Sequence, residues 1–268
     1  MWALDAPHSP RAERLFADTP LRLLAVLALG VAATWTLVER GVLPPHAIRV
    51  AGVTAGHGAL LATALTWAHV GPASVVASVV WLGLAATVAG LGAFGPLAYL
   101  GPPLWIIWLV RRGGLAGLCL DTPVPFRGVL AGAAVGALLA LHLLGTASRT
   151  LGVHARLDHW PDMLAAIGYD VGANVLAAEC FFRGALFNRV HRRGSFAVAV
   201  TCATAAYVLR YLVDPLLPKS IGLVVGAVFY LSLLGALNCW LLWWSASLLP
   251  GILSALIFFA AYRTLGSG

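Results

Sequence analysis

Glu179 and Arg183 stand four residues apart in the stretch AECFFRG, inside a long apolar run. A charged side chain in a lipid-embedded helix costs roughly 2.5–3.5 kcal/mol on insertion scales, so the few that occur carry information. Here they are Asp170, Glu179 and Arg183 in one run and Arg210 in the next. A carboxylate can serve as a general base, and a guanidinium can donate to a developing anion. At helical spacing Glu179 and Arg183 share a face, with the acid on the favourable N-terminal side. Asp170 precedes Glu179 by nine residues, about 180° away at 3.6 residues per turn, which excludes it as the second carboxylate of a pair. Antiparallel helices joined by the short basic loop would let Arg210 approach Glu179 or Asp170. Two readings stand: a charge cluster that pins two helices together, or a catalytic carboxylate. Spacing alone favours the cluster, because structural ion pairs also perturb carboxylates.

The elements that must position these residues are membrane helices. The chain of 268 residues is 60% hydrophobic and 10% charged, against about 25% charged in a soluble domain. Apolar runs at 20–39, 47–69, 73–93, 96–111, 127–147, 161–189, 195–217, 220–244 and 247–264 approach the roughly 20 residues a spanning helix needs. The fourth is short and holds Pro102 and Pro103, so the expectation is an all-α polytopic protein of eight or nine spans. The runs are too long and too uniformly apolar for barrel strands. A break at RRGGLAGLCLDTPVPFRG separates a tail (1–19) and accessory helices (20–110) from a core (111–264). Glycines recur every four residues at Gly128, Gly132 and Gly136, at Gly168 and Gly172, and at Gly222 and Gly226, a spacing for close helix packing.

The net charge of +7 is not a nucleic-acid signal, because its arginines sit in short loops. With a cytoplasmic N-terminus, Arg11, Arg14 and Arg22, then Arg111, Arg112 and Arg127, then Arg189, Arg192 and Arg193 fall inside. Arg40, Arg49, Arg149, Arg156, Lys219 and Arg263 fall outside, a modest positive-inside bias that suits a cell-membrane protein. The first 19 residues lack a signal-peptide pattern, so the first span reads as a permanent anchor. Trp105, Trp108, Trp240, Trp243 and Trp244 read as interfacial belts. Cys119, Cys180, Cys202 and Cys239 have neither disulfide nor metal spacing. His154, Asp158 and His159 of HARLDH read as a solvated loop rather than a zinc site. His57, His69 and His142 read as hydrogen-bonded helix contacts. No cofactor or metal is expected.

The chain resembles the CPBP group of intramembrane proteases, which includes CAAX prenyl-protein endopeptidases, bacteriocin self-immunity proteins and sorting proteases. The family pattern EExxFRG is followed by a helix with an aromatic residue and a histidine four later. A last helix after SL.P carries a histidine and an asparagine. Here AECFFRGALFNRVHRRGSFAVAVTCATAAYVLRYLVDP follows the first two elements, and SASLLPGILSALIFF resembles the third. The resemblance covers about 111–264, and it implies a helical core and peptide-bond hydrolysis.

The departures matter more. The family's water-activating glutamate is Ala178, while Glu179 and Arg183 keep the second glutamate and the arginine. The first histidine position falls on Arg210, with Ala206 at the aromatic position and Tyr207 displaced by one. The last pair falls on Ser254 and Phe258, and no histidine follows His191. Alanine supplies no base, arginine stays protonated, and phenylalanine donates nothing. Cys180 neighbours Glu179, but an apolar setting disfavours the attacking thiolate. The expected function is a non-catalytic CPBP-like protein that binds a membrane-embedded or lipidated segment, or a partner protease. The alternative is an active endopeptidase with an altered site. A transporter ranks last, because no inverted repeat is visible. The expected partners are membrane lipid and a membrane-embedded protein, not nucleic acid.

Overall fold

The computed structural model describes residues 16–150, 153–155, 159–213 and 221–267. Arg11, Arg14, Arg156, Asp158 and Lys219 lie outside the described residues. Helices follow one another as α1 (Leu21–Glu39), α2 (His46–Trp67), α3 (Pro72–Val88), α4 (Gly101–Arg111), α5 (Phe126–Thr150), α6 (Trp160–His191), α7 (Phe196–Leu212), α8 (Ile221–Ser245) and α9 (Leu249–Arg263). Five of them, α1, α2, α5, α6 and α8, are long and apolar enough to cross a membrane, while α3, α7 and α9 are shorter apolar helices. Large apolar side chains face outward on many of them, including Leu29 at 69%, Leu138 at 68% and Val225 at 62% exposure. Such a surface requires a hydrocarbon surrounding. The chain is a polytopic helical membrane protein. A short antiparallel pair, β1 (Val153–Ala155) with β2 (Leu265–Ser267), aligns His154 with Gly266.

Local chemistry sets the helix ends. Pro72, Pro102 and Pro250 occupy first turns, where a missing N–H leaves no bond unmade. Ser195 caps α7 by accepting from the Val198 amide at 3.3 Å. The expected span at 96–111 is instead a 3₁₀ turn (Gly95–Leu100) leading into the 11-residue α4. At about 1.5 Å per residue α4 cannot cross a core about 30 Å thick. His69, expected within the second span, lies beyond the end of α2 with a left-handed φ of 60°.

The chain divides into two compact units. Unit I comprises 16–117 and 160–181, that is α1–α4 and the first part of α6. Here α6 lies close to the 3₁₀ turn: a Cβ on Gly168 would meet the Pro96 carbonyl at 2.9 Å, and one on Gly172 would collide with that of Tyr99. Unit II holds, among its described residues, 118–150, 153–155, 159, 182–213 and 221–267. Its α5 and α9 are in backbone contact. A Cβ on Gly132 would collide with the Pro250 carbonyl, and one on Gly136 would meet that of Ser254 at 2.6 Å. Both contact series ascend together, so the two helices run parallel. Asn238 of α8 ties to α9 by donating to the Gly251 carbonyl at 3.0 Å.

Candidate functional site

The AECFFRG stretch lies on α6, whose hydrogen-bond pattern alternates. Asp170–Asn174 and Glu179–Phe187 are π segments, separated by α-helical Val175–Ala178. The Val175 amide bonds the Asp170 carbonyl, an i→i+5 connection. Such turns are rare and concentrate at functional sites. They also correct the angle read from the sequence. A π turn holds more residues than an α turn, so each residue rotates less. The offset between Asp170 and Glu179 therefore falls below the half-turn that an uninterrupted α-helix would give.

In unit I, Asp170 and Asn174 are both 2% exposed, and Asn174 Nδ2 donates to Asp170 Oδ1 at 2.9 Å. The neighbouring Tyr169 hydroxyl shares a hydrogen bond of 2.7 Å with His57 Nε2, and Tyr99 meets the Tyr169 ring edge-on. His57 is thus the helix contact its isolation predicts. Ala178 and Glu179 are each 1% exposed, and Val175, Leu176 and Ala177 before them are buried. The position where the family pattern has its first glutamate is a methyl group in an apolar segment. Cys180 is also fully buried.

In unit II, Arg183 is fully buried, with Cζ 3.9 Å from the centre of the Tyr207 ring. A guanidinium over a ring face is attracted by the ring quadrupole. Gly235 on α8 makes room for this arrangement: a Cβ there would lie 3.1 Å from Arg183 Nη2 and 2.9 Å from Thr204 Cγ2. Arg210 is half-exposed and lies over the Tyr211 ring, 4.5 Å from its centre. Ser254 is fully buried, and its hydroxyl oxygen has no hydrogen-bond partner among the described residues. Phe258 packs against Tyr230 and Phe259, with ring centres 5.9 and 5.5 Å apart. The Tyr230 hydroxyl in turn pairs with His142 Nδ1 at 2.8 Å and Thr146 at 2.9 Å.

Within unit II, then, Arg183 is joined to Tyr207 and Phe258 to Tyr230, while Arg210 rests on a ring of its own. The roles of Tyr207 and Asn238 were not apparent from charge spacing. The available signal was a polar side chain inside an apolar run, which lipid makes costly even when uncharged. His159 is exposed, as a loop residue should be.

These helices define a membrane protein with a few buried polar groups in an apolar interior. Residues 160–259 match the family described as Type II CAAX prenyl endopeptidase Rce1-like. The match is consistent with the CPBP resemblance and contains Ala178, Glu179, Arg183, Arg210, Ser254 and Phe258. No curated protein and no solved structure matches the chain.

Proposed function

We propose that this protein is a non-catalytic relative of the CAAX-type intramembrane endopeptidases, one that binds a membrane-embedded or lipidated protein segment or a partner protease. One observation carries the reading: Ala178, at the position of the family's water-activating glutamate, is a buried methyl group that can take no proton. Ser254 and Phe258 at the last two motif positions add a hydroxyl and a ring, neither of which is a base near neutral pH. Glu179 and Arg183 act as supports for the helix core. The basic loops favour the cell membrane with the N-terminus on the cytoplasmic side.

The test uses the purified full chain with a prenylated CAAX peptide and with a transmembrane peptide. The expected result is no cleavage of either and photo-crosslinking of one of them to the protein. Glu179→Gln is expected to lower the yield of folded protein. Reproducible cleavage that disappears in Glu179→Gln would overturn the proposal in favour of an endopeptidase with an altered site.

A further inference from the structure

One end of unit II carries several arginines and an open cleft lined by one of them, Arg127. The contacts define this end. Asn188 of α6 reaches Cys119 Sγ at 3.7 Å, the Leu248 amide donates to the Cys119 carbonyl at 3.0 Å, and Gly128 faces Pro250. The start of α5, the end of α6 and the start of α9 therefore meet here, with Arg127 and Arg189 among their residues and Arg192 and Arg193 in the turn after α6. By the positive-inside rule this end faces the cytoplasm.

The cleft has a volume of about 240 Å³ and is lined by Pro125, Arg127, Trp244 and Ser245. At about 30 Å³ per water it holds roughly eight waters, and it falls below the roughly 300–1,000 Å³ of pockets for drug-sized ligands. That is room for a small anion. Arg127 is exposed and has no ion-pair, hydrogen-bond or ring partner among the described residues. The Ser245 hydroxyl is already committed, donating to the Leu241 carbonyl at 2.7 Å, so the charge available to a ligand is the guanidinium. The cleft also borders the first turn of the 25-residue α5, whose dipole adds partial positive charge. The flanks are apolar: Phe126 is 76% exposed, and Trp244 stacks on Trp240. A cation beside exposed rings at the end of membrane helices matches a ligand with an anionic head and a hydrocarbon body. Basic pockets on the cytoplasmic side commonly take anionic headgroups.

We propose that this cleft binds the phosphate of an anionic membrane phospholipid, with Arg127 as its counter-ion. The proposal is independent of whether the chain cleaves anything. The full-length protein is placed in nanodiscs of phosphatidylcholine, with or without phosphatidylglycerol, and its thermal unfolding is followed. Phosphatidylglycerol is expected to raise the melting temperature by about 2–4 °C. Arg127→Gln should lose that rise, Arg127→Lys should keep part of it, and Arg149→Gln at the other end of α5 should keep it all. A full rise in Arg127→Gln, or an equal loss in Arg149→Gln, would refute the site. Inorganic phosphate added to the phosphatidylcholine discs should give no rise; a rise equal to that of the lipid would assign the cleft to a free anion instead.

Discussion

Units I and II treat their buried polar groups differently. In unit I, side-chain hydrogen bonds join several of them: Tyr169 with His57, Trp105 with Ser78 at 2.9 Å, and Asn174 with Asp170, as Tyr230 and His142 are joined in unit II. The helical threonines of unit I return their hydroxyls to their own backbone, as Thr63 does to the Ala59 carbonyl and Thr66 to that of Ala62. In unit II, Arg183 rests on a ring face, and the hydroxyl oxygens of Ser254 and Thr204 are buried with no hydrogen-bond partner among the described residues. A lipid-embedded fold gains from satisfying its polar groups, so unsatisfied ones mark places where stability is not optimised. Unit I holds Ala178 and Glu179, and unit II holds the later motif positions with two buried hydroxyls unsatisfied among the described residues.

Backbone packing gives the largest expected effect, and it follows the local space at each glycine, since both units hold tight glycine contacts. Gly136→Val should destabilise the protein by about 1–3 kcal/mol or prevent folding, because its Cβ would press on the Ser254 carbonyl at 2.6 Å. Gly56→Ala in unit I meets nothing within 4 Å and should stay within about 0.5 kcal/mol. Equal losses in detergent unfolding would remove this difference.

Hydroxyl deletions test the polar contrast directly. Tyr169→Phe should destabilise, and its double-mutant cycle with His57→Phe should give a coupling of about 0.6–1.7 kcal/mol. Ser254→Ala should be neutral or stabilising by up to about 1 kcal/mol, since it removes a buried hydroxyl that lacks a partner. A clear loss of stability in Ser254→Ala would mean that its hydroxyl is engaged.

The smallest effect concerns Cys119, in the connection before α5. Burial pushes its thiol above the ordinary value, while the Asn188 hydrogen bond and Arg192 pull it down. At neutral pH the thiolate fraction is therefore lower than in the unfolded chain. Maleimide labelling should be slower in the folded protein and should accelerate as pH rises through the elevated pKa. Labelling at the unfolded rate would contradict this.

Much of the helical layout was legible in the sequence. In lipid each spanning segment must satisfy its own backbone and be apolar along its length, so runs such as 127–147 and 220–244 announce α5 and α8. The glycine spacing of α5 was legible too, though not its partner: nothing local to Gly132 indicates Pro250. The 96–111 run, short and holding Pro102 and Pro103, left eight or nine spans open, because hydropathy does not register the turn that shortens α4. The π segments of α6 were illegible for a related reason. They depend on which carbonyl each amide chooses, and residue type barely biases that choice. Among the site residues, Ala178 could be read from its place in the motif, whereas Tyr207 as the seat of Arg183 required the register of two helices.

The glycine seam between α5 and α9 has a consequence for biosynthesis. α5 is made well before α9, so during synthesis its bare backbone strip at Gly132 and Gly136 has no partner from α9 until that segment is inserted. A nascent chain at this stage offers an unfilled slot in the bilayer. Insertion of the segment from Leu249 onward closes it.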